Sequence, residues 1–338
     1  MAKVALFQIK GWEAEYLKNA LNSLGFECDV YESGVDVLPP KNDYDAISVF
    51  VGPLVNKEVI DYFPNLKLIT TRSTGFDHID LEYARSKNIA LGYVPNYGEN
   101  TVAEFAIGLL LTLTRKLYLS IDRIKETRDF SFEGLEGVDL KGKTLGVIGA
   151  GRIGQHLIKI AKGFEMNVIA FDRNQKPELA QSLGFEYKSL DEVLSQSDFI
   201  SIHLFYCPQT HHFINKENIR KIKRGAYLIN TARGPIVETE ALVMALKEGI
   251  LAGAGLDVLE EENILKDEMG YWLSHNPKGK ETNMENVIFN HILMSMPNVV
   301  ITPHNAFNSR EAKIRILDSD SQNISEFFKS GAPKYPIS

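Results

Sequence analysis

The sequence predicts an α/β fold in which a doubly wound parallel sheet is joined to a second, discontinuous α/β unit. Three observations predict it. Short apolar runs alternate with helix-periodic stretches along the whole chain. An apolar run at 145–148 leads into a glycine-rich turn, an amphipathic stretch and a second apolar run, the order of a strand–helix–strand crossover. The regular alternation closes near residue 302, and the single helical stretch that follows is too small to be a domain alone.

In the first part, VALFQI (4–9), AISVFV (46–51), LKLITT (66–71) and IALGYV (89–94) read as buried strands, with helical periodicity in EAEYLKNALNSLG and HIDLEYARSKN. The loop Ser73–Asp77 follows directly on a strand, at the carboxyl edge of a sheet where ligands sit. Residues 101–126 read as one long helix joining two domains across a cleft. Thr101 and Glu104 match a capping box, and Val102, Phe105, Leu109, Leu110, Leu113 and Leu117 form its apolar face. From 144 onward, strands recur in LGVIG, VIAFD, DFISIH, AYLINT, GAGLD and VVIT. Residues 263–298 interrupt this pattern and read as a polar excursion near the active-site edge or a subunit contact. The helix at about 309–329 is expected to return to the N-terminal part. The expected domains are therefore 1–99 plus 303–338, and 100–302.

A chain of 338 residues accommodates two domains, each with a full core. Hydrophobic residues at 44% and charged residues at 24% are ordinary for a soluble enzyme. A net charge of −7 argues against a nucleic-acid partner, which calls for a basic excess. Cys28 and Cys207 make neither a disulfide framework nor a metal site. The opening residues lack the apolar core of a signal peptide, and the longest nearly apolar run, 105–113, is too short to span a bilayer. No membrane association and a reducing, cytoplasmic setting are expected.

The stretch 144–172 is the most informative. Gly149, Gly151 and Gly154 stand in GAGRIG between an apolar strand and a helix. Gly149 permits the tight turn, Gly151 lets a pyrophosphate approach the backbone, and Gly154 lets the helix pack closely on the strand. The helix start, from Gly151 through Arg152 and Ile153, offers N–H groups and a positive dipole end to phosphates. Asp172, eighteen residues after Gly154, ends the second strand, where a carboxylate accepts the adenosine ribose hydroxyls. That carboxylate favours NAD over NADP, although the neighbouring Arg173 would welcome a 2′-phosphate.

Arg233, Glu262 and His304 each follow a strand, so all three are expected at the edge where the cofactor binds. Taken singly, the arginine reads as a surface charge, the acidic triplet as solvated and the histidine as structural. Their joint placement suits hydride transfer to a ketone. Arg233 presents a planar fork to a 2-oxo acid. His304 carries the side chain that titrates nearest neutrality and so serves as the acid. A carboxylate from Glu262 would fix the imidazole tautomer and favour its protonated form.

The ordered set STGFDHID (73–80), ENTVAE (99–104), GAGRIG (149–154), NTARG (230–234), GLDVLEEE (255–262) and TPHNAF (302–307) resembles the D-2-hydroxyacid dehydrogenases over nearly the whole chain. The resemblance implies a catalytic trio of Arg233, Glu262 and His304, with Glu260 and Glu261 as nearest rivals to Glu262. It implies a Rossmann-like NAD-binding domain, a flavodoxin-like substrate domain built from both chain ends, cleft closure and a homodimer. It also implies that backbone N–H groups around Thr74 and Gly75 hold the substrate carboxylate. Asp257 would receive the nicotinamide amide, Val102 would line the ring pocket, and Thr231 and Ala232 would lie on the cofactor side. His203 matches a cofactor-contacting position, or else is a strand-end histidine bonded to backbone. Phe205 stands where family members often have proline. Ala306-Phe307 after His304, and Tyr97 within YVPNYGEN, resemble the lactate-type branch. Phe50 and Val51 would offer an apolar wall to the substrate side chain. The expected activity is NADH-dependent reduction of pyruvate to D-lactate. Glyoxylate or hydroxypyruvate reduction, phosphoglycerate oxidation and an NADH-sensing, co-repressor-like binding module are the alternatives.

Overall fold

Apolar runs set the strands, and their alternation sets which helices cover them. The computed structural model describes residues 1–266 and 283–337, which divide into two compact units, Met1–Tyr97 with Asn308–Ser338 and Gly98–Phe307. The expected divisions at 99/100 and 302/303 lie two and five residues away, so His304 falls in the unit that also holds Arg233 and Glu262.

The first unit opens with β1 (Lys3–Phe7), α1 (Gly11–Ser23), β2 (Glu27–Tyr31), β3 (Ala46–Val49), α2 (Lys57–Tyr62), β4 (Leu68–Thr71), α3 (Leu81–Ser86) and β5 (Ala90–Gly92). All strands are parallel in the order β2-β1-β3-β4-β5, the flavodoxin-like arrangement. Successive side chains of β1 go to opposite faces. Val4 and Leu6 pack with Leu17 and Leu21 of α1, whereas Ala5 and Phe7 pack with Val59 and Ile60 of α2.

The second unit carries α4 (Glu99–Thr114), α5 (Leu117–Thr127), β6 (Thr144–Ile148), α6 (Arg152–Gly163), β7 (Asn167–Phe171), α7 (Pro177–Leu183), β8 (Glu186–Tyr187), α8 (Leu190–Gln196), β9 (Phe199–Ile202), β10 (Ala226–Asn230), α9 (Thr239–Lys247), β11 (Leu251–Leu256), α10 (Glu262–Lys266), α11 (Met284–Ser295) and β12 (Val299–Ile301). Its parallel sheet runs β12-β11-β10-β9-β6-β7-β8, so strand order reverses between β6 and β9. Buried residues of α4 and α6 cover one face, and those of α8, α9 and α11 the other. Part of the interruption expected at 263–298 is helical, in α10 and α11, while 267–282 lie outside the described residues.

The chain then returns to the first unit as α12 (Arg310–Ser330), whose Asp320 accepts a hydrogen bond from Ser48 of β3 at 2.7 Å. Arg72, buried after β4, donates to Ser48 and to the carbonyls of Phe7 and Gln8. This polar layer ties together the carboxyl ends of three strands.

The single helix expected over 101–126 is two. α4 starts earlier, at Glu99, with Gly98 as its N-cap and no side-chain cap, so the Thr101–Glu104 capping box does not form. It stops because the backbone N–H of Val138 takes the carbonyl of Thr114 at 2.8 Å, and Lys116 turns left-handed with φ +49°. Nine residues of α4 are buried but none of α5, so the apolar stripe does not continue into the core. Among the described residues, no helix is long and apolar enough to cross a membrane.

Candidate active site

Every strand of the second sheet is parallel, so all carboxyl ends share one edge. Across that edge, in sheet order, come His304 after β12, Asp257 and Glu262 after β11, Arg233 after β10, His203 after β9, the glycine turn after β6 and Asp172 after β7. Residues spread over more than 150 positions of sequence thus fall in one row at the point where strand order reverses.

The glycine turn has three distinct constraints. Gly149 has φ +99°, and a Cβ there would lie 2.5 Å from the carbonyl oxygen of His203. A Cβ on Gly154 would lie 2.1 Å from the carbonyl oxygen of Gly149, so α6 can approach β6 only without one. Nothing lies within 4 Å of a Cβ on Gly151, the N-cap of α6, and this open space above bare backbone fits a pyrophosphate. Arg152, at the first helical position, lies 3.7 Å from Glu99, and Ile153 packs partly into the core. Asp172 fixes the turn from below, accepting from the backbone N–H of Ala150 and of Asn174, each at 2.8 Å. Val102 is buried in the first turns of α4.

Three buried polar atoms at this edge lack partners among the described residues, Nδ1 of His203, Oγ1 of Thr231 and Oδ1 of Asn305. The imidazole of His203 pairs at 2.9 Å with Ser201 Oγ, a side chain and not the backbone. Burial pulls it down to about 4, so the ring is neutral at pH 7. Orphaned buried groups beside an open glycine cradle and a strand-end carboxylate fit a dinucleotide.

On the other half of the edge, Nδ1 of His304 lies 2.7 Å from Oε1 of Glu262, and each side chain is 26% exposed. His304 has φ +52° and Glu261 φ +54°, left-handed conformations that cost non-glycine residues energy and must be held from outside. Asp257 does part of the holding. It is 1% exposed and accepts from Thr302 Oγ1 and from the backbone N–H groups of Asn305 (3.0 Å) and Ala306 (2.9 Å). Burial raises its carboxyl above the ordinary value despite these bonds. Arg233 leaves β10 through Thr231 and Ala232. Its guanidinium donates to the carbonyl of Ala232 at 2.7 Å, while Asn230 holds the loop from inside. A Cβ on Gly234 would lie 2.1 Å from the carbonyl of Leu259, which presses the Arg233 loop onto the segment leading to Glu262.

The glutamate triplet separates in space. Glu262 reaches His304, whereas Glu260 turns inward to His212 and Thr239. His212 and Asn290, which bonds the carbonyl of Glu260 at 2.7 Å, had no signal in the sequence, because their partners are 48 and 30 residues away.

In the first unit, the loop after β4 is pinned by its own side chains. Ser73 Oγ donates to the carbonyl of Gly75 at 2.6 Å, and Thr74 Oγ1 donates to that of Val94 at 2.8 Å. Thr74 is exposed and Gly75 buried. Tyr97 is half-buried, its carbonyl held by Arg315 at 2.7 Å.

A Rossmann-type sheet with this cradle and a histidine–carboxylate pair beside it defines a nicotinamide-dependent oxidoreductase. Residues 107–306 match the model of the D-isomer specific 2-hydroxyacid dehydrogenase, NAD binding domain. The chain is 36% identical over 332 residues to a 2-hydroxyacid dehydrogenase homolog of Zymomonas mobilis, covering 96% of each. It is 35% identical over 337 residues to an aromatic 2-oxoacid reductase of Clostridium sporogenes, covering 98% of each. Among solved structures, D-lactate dehydrogenase from Aquifex aeolicus, complexed with NAD and lactic acid, aligns with a TM-score of 0.83 and 36% identity over 97% of this chain and 96% of that one. The chain belongs to the D-isomer-specific 2-hydroxyacid dehydrogenase family, with NAD as cofactor.

Proposed function

We propose that the chain reduces pyruvate to D-lactate with NADH, and that Arg233, Glu262 and His304 carry the reaction. The observation that supports this most is the 2.7 Å pairing of His304 with Glu262 on the edge that holds the glycine cradle. When bound, the nicotinamide supplies a hydride to C2 of the 2-oxo acid. Glu262 occupies Nδ1 of His304, which leaves Nε2 to deliver a proton to the carbonyl oxygen as it becomes a hydroxyl. Arg233 polarises that carbonyl and takes part of the carboxylate. The backbone around Thr74 and Gly75 takes the remainder, and Tyr97 lies against the substrate. Gly151, Arg152 and Ile153 would hold the pyrophosphate and Asp172 the adenosine ribose, where its charge would disfavour a 2′-phosphate. Val102, His203, Thr231, Ala232 and Asp257 complete the cofactor pocket.

Pyruvate is preferred in this reading because Ala306-Phe307 follows His304 and because Phe50 and Val51, directly after β3, would offer an apolar wall. The Phe50 ring lies 6.0 Å from the buried Arg72 guanidinium, which steadies it. A homodimer is supported by α5 and the loop after it, where Leu117, Tyr118, Ile121 and Ile124 are about half exposed and Phe130 and Phe132 are 90% exposed. Free Cys28 and Cys207 accord with a reducing cytoplasm.

Steady-state reduction of pyruvate, phenylpyruvate, hydroxypyruvate, glyoxylate and 3-phosphohydroxypyruvate tests the assignment. Pyruvate should give the highest kcat/KM, and the product should be D-lactate on chiral chromatography. A higher kcat/KM for any of the other four would reassign the substrate.

A further inference from the structure

We infer that Glu260 and His212 are positioning residues, a clamp that fixes the segment bearing Glu262 against the loop bearing Arg233. This rests on the assignment of Glu262 and His304 to proton delivery.

Glu260 is 5% exposed, and its carboxylate is fully engaged. Oε1 lies 2.8 Å from Nε2 of His212, and Oε2 accepts from both the backbone N–H (2.9 Å) and the hydroxyl (2.6 Å) of Thr239. Thr239 is the first residue of α9, whose own N-cap residue, Glu238, makes no side-chain cap. A local Ser or Asp would cap this helix more simply. The cap comes instead from the loop after β11, twenty-one residues on, so α9 and the Glu262 segment cannot move apart. The negative carboxylate also sits favourably at the positive end of the helix.

His212 completes the link from the other side. Its backbone N–H donates to the carbonyl of Pro235 at 2.8 Å, two residues after Arg233, while its ring meets Glu260. Its backbone is left-handed, φ +48°, and its ring stacks on His211 at 3.9 Å, so its direction is fixed. One residue therefore grips both loops. From Glu260 to Glu262 the chain passes only through Glu261, itself left-handed, so a rotation at Glu260 carries straight to the carboxylate that meets His304. The buried carbonyl of Glu260, held by Asn290 Nδ2 at 2.7 Å, removes the remaining freedom.

A displacement of about 1 Å at a reacting group costs up to about a hundredfold in rate. Glu260→Gln keeps the shape of the side chain but removes its charge and sets an amide against Thr239 or His212. We expect kcat per NADH-binding site to fall about tenfold or more, with a larger solvent deuterium isotope effect and an NADH Kd within about twofold of the parent. His212→Gln, made at the more exposed partner, should move kcat and the isotope effect the same way, and it decides the matter if Glu260→Gln does not fold. A clamp that merely stabilises the fold would lower Tm while leaving kcat per site and the isotope effect unchanged, and that result would overturn the inference. Glu262→Gln is measured alongside. If it retains turnover, the proton-delivery assignment itself is wrong; if it loses turnover while both clamp variants keep theirs, only the clamp fails.

Discussion

Nδ1 of His304 lies 2.7 Å from Oε1 of Glu262 although forty-two residues separate them. The bond fixes which imidazole nitrogen is left to face a substrate. His304→Gln should therefore lose on the order of 10²–10⁴ in kcat, with NADH binding by fluorescence unchanged. Glu262→Gln should lose less, since the imidazole remains. Turnover within about threefold of the parent in His304→Gln would remove it from the acid role.

The glycines of the turn differ in what a methyl group would do. Gly154→Ala drives a Cβ to 2.1 Å from a backbone carbonyl that cannot yield, so it should destabilise the second unit by roughly 1–3 kcal/mol. Gly151→Ala meets nothing within 4 Å, so its Tm should stay near the parent value. Its NADH Kd should still rise tenfold or more, because the methyl group occupies the phosphate approach. An unchanged Kd for Gly151→Ala would place the pyrophosphate elsewhere.

How far such a row was legible in the sequence depends on whether its cause is local. Strands buried on both faces are continuous apolar runs, so β1, β3, β4, β6, β7, β9, β10 and β11 were visible, and the edge strands β5 and β12 lie in apolar runs as well. Edge strand β2, with the mixed sequence ECDVY, and the two-residue β8 carry no such run. The break between α4 and α5 was hidden because an apolar stripe continues to Leu117, while its cause, the Val138 N–H on the Thr114 carbonyl, lies twenty-four residues on. Arg233, Glu262 and His304 stood out because each follows an apolar strand. Sequence spacing alone left Glu260 and Glu261 as rivals to Glu262. What separates them is His212 and Thr239 on one side and His304 on the other, contacts made only in space.

Asp172 accepts from the backbone N–H groups of Ala150 and Asn174, so it shapes the turn, and in the proposed reading its charge also disfavours a 2′-phosphate. Asp172→Ser keeps one acceptor and removes the charge beside Arg173. The variant should raise kcat/KM for NADPH relative to NADH by about tenfold or more, measured with the same 2-oxo acid. An unaltered ratio would show that the carboxylate does not face the ribose.

His203 links cofactor edge and acid stability. Burial lowers its folded-state value from 6.5 to about 4, and its Nδ1 has no partner among the described residues. Between those values the unfolded chain takes up a proton that the native ring refuses. The contribution is therefore fully present above pH 6.5 and is lost as pH falls toward 4, by up to about 3 kcal/mol. His203→Gln has no such proton to take up. Urea midpoints of the cofactor-free protein at pH 7.5 and pH 5 should fall more for the parent than for His203→Gln. Carboxylates that titrate in the same range contribute equally to both proteins and cancel in the comparison. Parallel losses would mean that the ring is hydrated in the native state, and with it would go the case for a buried polar atom waiting for the cofactor.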